Sequence, residues 1–536
     1  MEFSIKKTAI RDFAEKFEKK PVQTIAGILS IVSVVTFIYY YQNGLGLKYN
    51  DARSHLDIAR RVVEGLKTGA AQLGSVWLPL PHILMLPTIW NDFFWHSGLS
   101  GAIVSMISFV AVGVLIYKYL KALGVGVLAR YFGVLVFVLN INVLYMQSTA
   151  MTELLLLATM TAGSYYLLLW SRKKRLVDIL KSALWIMLST AIRYDGWFLL
   201  GFSAMIISYI SFRKKGFEEA EGVTILFLTL GSLAIFLWVI WNWLIFNDPL
   251  YFILGPFSAH AQQAQIDAAG ELYTKGNWFI STISYIYALM YNSYSVPAVF
   301  GLIGFLGLLK DKIFKIEVKI ASLALISPFI FNVLALYFGH SVLFVQGVLT
   351  DTWFNVRYGI MLMPSIAIFF AYLVDRLKNI KFSVIAIYLF VMLFAFLGRD
   401  AVTIDDALVG ASGKNVTEVS GWLKENVTNE KEYVLIAAAS HDAIIFSSGL
   451  PMSRFVHEGT GPYWKFAIEN PEKWVRWIVV RTYDMSDWTW REIVDAPGLS
   501  KFELVDHYPF ADIYQLKDEF LDEMDPVLPP GTKMNE

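Results

Sequence analysis

The 536-residue chain contains no cysteine, so it can form neither a disulfide framework nor a thiolate metal site. Charge is scarce: Asp, Glu, Lys and Arg make up 17% of the residues, against roughly a quarter in a soluble protein. Acidic and basic residues balance at 45 each, so net charge points to no nucleic acid or other charged partner. The sequence has no Walker A motif, no glycine-rich dinucleotide loop after a strand, and no histidine cluster with metal-ligand spacing. It has no exposed basic patch for nucleic acid, no internal repeat and no low-complexity tract.

Apolar residues are abundant, at 56%, and they are bunched into stretches close to the roughly 20 residues that cross a bilayer as helix. The stretches are Pro21–Tyr41, Ser100–Tyr117, Tyr131–Met146, Thr152–Trp170, Ala183–Tyr194, Gly196–Phe212, Val223–Phe246, Pro297–Leu309, Ile320–Gly339, Tyr358–Val374 and Phe382–Leu397. They predict about eleven transmembrane helices. Every second connection is basic: Lys6 to Lys20; Lys118, Lys121 and Arg130; Arg172 to Arg175; Arg213 to Lys215; Lys310 to Lys319; and Arg376 to Lys381. The positive-inside rule puts these in the cytoplasm. An odd number of spans from a cytoplasmic N-terminus then leaves the C-terminus outside. The first apolar stretch reads as a retained span, since a charged segment precedes it and no small-residue cleavage site follows. Two full spans do not fit between Lys181 and Arg213, so a pair of short or tilted helices is expected to meet at Arg193-Tyr194-Asp195-Gly196-Trp197.

After Arg399 the composition changes. A helix is expected over Asn415–Asn426 and strands over Tyr433–Ala439, Trp474–Arg481 and Ala511–Leu516, which make a small α/β domain. The expected organisation is a cytoplasmic segment 1–20, a membrane domain 21–399 with outer loops 42–99, 247–296 and 340–357, an extracytoplasmic α/β domain 400–524 and a disordered tail 525–536. Location in the plasma membrane fits this layout. Asn415 and Asn426 begin N-x-T sequons on the outer side, which matter only in a cell that glycosylates them.

Polar residues at the outer rim of a membrane protein are where chemistry concentrates. From Ala52 to Leu66 the spacing is helical, with Leu56, Ala59 and Val63 on one face, which suggests an amphipathic helix on the outer membrane surface. Asp51 at its start is either an N-cap or a catalytic base at the membrane boundary. His55, one turn on, can orient an acceptor or simply be solvated. Arg193 and Arg357 lie at span ends on the side poor in positive charge, where arginine is costly unless paired or bound to an anion. Arg193 is read either as an ion pair with Asp195 or Glu153 or as a phosphate ligand. Arg357 either snorkels to the surface or holds phosphate. Glu153 is a helix N-terminal acid or a site residue. Trp77 belongs to an interfacial belt or stacks on a sugar, and Arg53 and His82 complete the candidate binding residues.

Several pieces in order along the chain carry a resemblance. Asp51 follows the first span; Leu56-Asp57-Ile58-Ala59-Arg60 and Trp77-Leu78-Pro79 come next. Thr152-Glu153 opens the fourth span, Arg193-Tyr194-Asp195-Gly196-Trp197 joins the short pair, and Asn247-Asp248-Pro249-Leu250-Tyr251-Phe252 closes the seventh. Arg357-Tyr358 starts a later span, and a soluble domain ends the chain. Over roughly Pro21 to Leu397 the sequence resembles the GT-C superfamily of integral membrane glycosyltransferases, in its polyprenyl-phosphate-sugar-dependent, mannosyltransferase and aminoarabinose-transferase-like branch. The resemblance implies an acidic base in the first outer loop, matched by Asp51, and inverting displacement of a sugar from a lipid phosphate, with Arg357 as the matching phosphate contact. The partners it implies are a polyprenyl-phosphate-linked sugar, a glycan, lipid or protein acceptor, and the bilayer. Many members carry two neighbouring acids in this loop, whereas Asn50 precedes Asp51 here. No cofactor and no metal is therefore expected, a divalent ion staying an open alternative. The rival reading is a transporter or flippase of a lipid-linked or polar solute, which the lack of repeated halves disfavours.

Overall fold

The computed structural model of the chain describes residues 20–256, 258–268, 270–348, 350–409, 413–429, 432–528 and 532. The expected cytoplasmic segment 1–20, apart from Lys20, and most of the expected disordered tail 525–536 lie outside the described residues. Among those described, seven helices are long and apolar enough to cross a membrane: Pro21–Gln42, Leu99–Leu123, Glu153–Lys173, Asp195–Lys215, Ile316–Tyr337, Val356–Arg376 and Lys381–Val409. Two bent pairs raise the number to nine if each is one span. They are Phe217–Gly231 with Leu233–Phe246, bent by 45°, and Trp278–Ser293 with Ser295–Lys310, bent by 111°. The chain is a multi-pass membrane protein.

Two differences from the expected eleven have physical reasons. The stretch Tyr131–Met146 is a helix Val127–Val138 followed by a short helix Ile141–Met146, and Ala183–Tyr194 is the end of a helix Leu176–Thr190. At 1.5 Å per residue, helices of 12 and 15 residues cover about 18–23 Å, short of the roughly 30 Å hydrocarbon core. Conversely, the expected outer loop 247–296 contains the helix Trp278–Ser293, whose Tyr, Ser and Asn content masks its apolar face. Asn277 caps it by accepting the Ile280 N–H.

The chain divides into two compact units, Met1–Gly46 with Ser75–Pro81 and Ala102–Val409, and Leu47–Gly74 with His82–Gly101 and Gly410–Glu536. In the first unit the span Val356–Arg376 is central and largely buried. It starts as a 3-10 helix, Val356–Leu362, and becomes α-helical from Met363. Pro364 explains the switch: it has no N–H to give Ile360, whose carbonyl is taken by the Met363 N–H instead. The helix Ser295–Lys310 packs on this span through Gly301 and Gly304, small residues that let two backbones approach.

The second unit holds a five-stranded sheet, β1 (Val434–Ile436), β2 (Phe455–Val456), β3 (Trp477–Val480), β4 (Phe502–His507) and β5 (Asp512–Leu516), in the order β2-β1-β3-β5-β4. β1 pairs in parallel with β2 and β3, while β5 is antiparallel to β3 and β4. The expected strands correspond to β1, β3 and β5. The additional pair sits at the sheet's edges: β2 is two residues long, and β4 is half exposed and bulged between Leu504 and Asp506. The expected amphipathic helix is Asn50–Val63, and its unit covers its polar face. Asp57 accepts from Trp95 Nε1 at 3.0 Å, and Arg60 donates to the Ile89 carbonyl at 2.8 Å and to Asp92 at 2.5 Å. The same helix packs on Ala438–Ser448. A helix that buries Asp57 and Arg60 against protein differs from one floating on a lipid surface with its charges in water.

Candidate functional site

In the first unit, the helices Leu176–Thr190 and Asp195–Lys215 meet at the expected Arg193–Trp197 turn. Gly196 makes the turn possible: a Cβ there would lie 2.4 Å from the Ser189 carbonyl carbon and oxygen. Trp197 Nε1 donates to the Thr190 carbonyl at 2.8 Å, and the Tyr194 hydroxyl donates to the Val76 carbonyl at 3.0 Å. The segment Ser75–Pro81 therefore lies along the turn, with Leu78 packed among Trp238, Phe252, Tyr194 and Trp197, and Trp77 half-buried beside it.

The turn delivers Arg193 to Glu153, in the first turn of its span and fully buried. Glu153 Oε1 accepts from Arg193 Nη1 at 3.2 Å and from Arg357 Nε at 3.2 Å. Arg193 Nε also donates to Asp195 at 3.2 Å, and Arg357 Nη1 stands 4.0 Å from Asp406. Both guanidinium groups lie over the Tyr358 ring, at 4.9 and 5.4 Å. Arg193 is thus ion-paired with both acids that the sequence offers. Arg357 is 6% exposed, so it does not snorkel to the surface. Glu153 Oε2 and Asp195 Oδ1 have no hydrogen-bond partner among the described residues, although both are buried. Two cations and three carboxylates, from segments far apart in sequence, converge on one buried point.

The other candidates lie in the second unit. Asp51, half-buried, sits in the first turn of the Asn50–Val63 helix, where a carboxylate favours the helix N-terminus; the N-cap position belongs to Tyr49. Arg53 Nε donates to the Leu47 carbonyl at 3.0 Å. His55 Nδ1 and His82 Nε2 are 2.9 Å apart, so one ring must offer a lone pair to the other. Burial, aided by His55 and Arg61, holds His82 well below the usual imidazole range and keeps it neutral. His82 is fully buried.

Residues that the sequence reading passed over surround this helix. Burial raises the Asp57 carboxyl well above its ordinary value, and the Asp442 charge adds to it. Burial likewise pushes Asp442 up to about 6, against the lowering effect of a hydrogen bond from Ser54 and of Arg61. Glu458 accepts the Ala438 and Ala439 N–H groups at 2.9 and 2.7 Å, satisfying donors at the start of the Ala438–Ser448 helix. Asp57 and Arg61 share a helix face at i, i+4 spacing, a signal open to inspection. Asp442 and Asp406 stand in no motif. Among the described residues no group of three or more His, Asp or Glu side chains is arranged to hold a metal ion.

No protein-family model matches the sequence, and no curated protein sequence matches it. Solved structures do. ArnT from Cupriavidus metallidurans bound to undecaprenyl phosphate is similar over 91% of this chain and 98% of its own, at 11% identity and a TM-score of 0.54. The chain has the GT-C fold. The archaeal oligosaccharyltransferase AglB from Archaeoglobus fulgidus, in complex with an inhibitory peptide and a dolichol-phosphate, matches at 10% identity over 94% of this chain and 75% of its own. Its TM-score is 0.47. On a chain of this fold, Glu153, Arg193 and Arg357 come together, as do His55 and His82.

Proposed function

We propose that the protein is a membrane glycosyltransferase that moves a sugar from a polyprenyl-phosphate donor to an acceptor hydroxyl on the extracytoplasmic face. The observation that carries the reading is the buried Arg357 and the partly buried Arg193 sharing Glu153, in a chain whose fold is that of a protein solved with undecaprenyl phosphate. Uncompensated charge is expensive at that depth, and forked guanidinium groups match phosphate oxygens. Asp406, whose carboxylate stands 4.0 Å from Arg357 Nη1, adds a second acid beside the guanidinium.

The chemistry is a single displacement. Asp51 takes the acceptor proton as the acceptor oxygen bonds to the anomeric carbon from the face opposite the leaving group. The bond between that carbon and the phosphate oxygen breaks, and the lipid phosphate departs with the electron pair and one more negative charge than it carried as a diester. The sugar is inverted. Base assistance supplies about 10²–10⁴-fold. A fixed cation at the phosphate stabilises the growing charge, so no general acid is needed. Arg193 and Glu153 hold Arg357 in place, Arg53 and His55 flank the base on its helix, and Trp77 offers an aromatic face to a sugar ring. His82 acts through His55. The donor dissolves in the bilayer, which accounts for a multi-pass enzyme without a nucleotide-binding fold. The basic loops orient the C-terminal sheet outward and the N-terminus toward the cytoplasm.

The test is transfer of radiolabelled sugar by purified full-length protein from polyprenyl-phosphate donors extracted from the native membrane. Label moving to an acceptor supports the enzyme. Label crossing a vesicle membrane still attached to its lipid would replace it with a flippase.

A further inference from the structure

The helix Trp278–Ser293 ends in a break three residues before Pro297, which has no N–H for the Ser293 carbonyl and cannot continue the helix. Tyr294 has φ +60° and ψ 144°, a backbone region that non-glycine residues rarely enter, and the chain then turns by 111° into Ser295–Lys310. Breaking a helix in apolar surroundings frees carbonyls that must find donors. The donors here are asparagines. Asn140 and Asn142 donate to the Asn292 carbonyl at 2.7 and 3.1 Å. The Asn292 amide spends one hydrogen on Ala288 O at 2.8 Å and the other on Val356 O at 2.7 Å. All three asparagines are fully buried. Turning the Asn292 amide over would face its oxygen with two carbonyls, so the donor orientation is fixed.

Val356 opens the 3-10 helix and immediately precedes Arg357. Asn142 Oδ1 accepts from both the N–H and the hydroxyl of Thr403, at 3.0 and 2.9 Å. Thr403 lies one turn before Asp406 on the helix Val402–Val409. One network therefore reaches the backbone carrying Arg357 through Asn292, and the helix carrying its carboxylate neighbour through Asn142. We propose that Asn292 and Asn142 are positioning residues that hold Arg357 in register to receive the lipid phosphate, with the strained break at Tyr294 retained because it presents Asn292 to Val356. This rests on the phosphate role given to Arg357 above.

The probe is undecaprenyl phosphate, titrated onto the full-length protein in detergent. Asn292→Leu keeps the bulk and removes both donors; it should weaken binding about tenfold, the worth of a buried hydrogen bond. Arg357→Ala should weaken it further, and the double variant should be no weaker than Arg357→Ala alone, since both changes remove one interaction. In the transfer assay Asn292→Leu should raise KM for the lipid donor with little change in kcat. Parental affinity in Asn292→Leu beside a weakened Arg357→Ala, or strictly additive losses, would overturn the positioning role and leave the phosphate role standing. Parental affinity in Arg357→Ala would remove both. If Asn292→Leu does not fold, Gly359→Ala decides in the same sense. Its methyl would lie 2.2 Å from Ala288 O and so displaces the 3-10 helix without deleting any donor.

Discussion

The two units differ in how they bury part of their charge, although the second also pairs buried Arg60 with Asp92. In the membrane unit, Arg193, Arg357, Glu153 and Asp195 lie within 3.2 Å of an opposite charge, so burial is met by pairing. In the second unit the carboxyls of Asp57 and Asp442 rise and the His82 imidazole falls, so burial is met by shifted proton affinity. The difference follows from access to water. A group deep among spans has nowhere to exchange a proton and must keep its partner; a group in a loop-rich unit can change protonation instead. Residues of the first kind hold one another in place, so mutating them disturbs the fold as well as any role in binding that we propose for them. Residues of the second kind can be varied and read by pH.

The comparison can be broken most sharply at Glu153. Glu153→Gln keeps the shape but leaves the buried Arg357 and the partly buried Arg193 without their shared carboxylate, and should destabilise the protein by about 3–5 kcal/mol. Thermal unfolding in detergent measures it, and a loss below about 1 kcal/mol would show that the pairing does not hold the unit together. Gly196→Ala comes next. The methyl would meet the Ser189 backbone at 2.4 Å, so the turn that delivers Arg193 must open, at a cost of about 1–3 kcal/mol and with weaker donor binding. The smallest effect belongs to the second unit. Asp442 binds its proton more tightly in the folded protein than in the unfolded chain. Its contribution to stability is therefore full below about pH 4 and is lost as pH rises toward about 6. Asp442→Asn should flatten that part of the melting-temperature profile. An unchanged slope would assign it to other groups.

Much of this was legible in the chain itself, and the remainder divides by range. Helices long enough to span follow from local hydropathy, and the Arg193–Trp197 turn from the lack of room between two basic clusters. The strands β1 and β3 are short apolar runs rich in Val and Ile, whereas β4 mixes Glu, Asp and His with its apolar residues and β2 is only two residues long. The break at Tyr294 was hidden because Tyr, Ser and Asn dilute the apolar pattern of Trp278–Ser293. Arg357 was legible as a costly charge but not as a buried one, since its partner Glu153 lies 204 residues away. Asp442 reaches the Asn50–Val63 helix only through the tertiary fold, which spacing along a chain cannot report.

The central claim is that Asp51 takes the acceptor proton. Asp51→Asn keeps the size and the hydrogen-bonding oxygen in the first helical turn, so the melting temperature should stay near the parental value. Sugar transfer from the polyprenyl-phosphate pool should fall about 10²-fold or more, because an amide cannot accept the hydroxyl proton. Undecaprenyl phosphate should bind as before. Transfer at the parental rate by folded Asp51→Asn protein would contradict the account, and the base would then have to be sought at another acid.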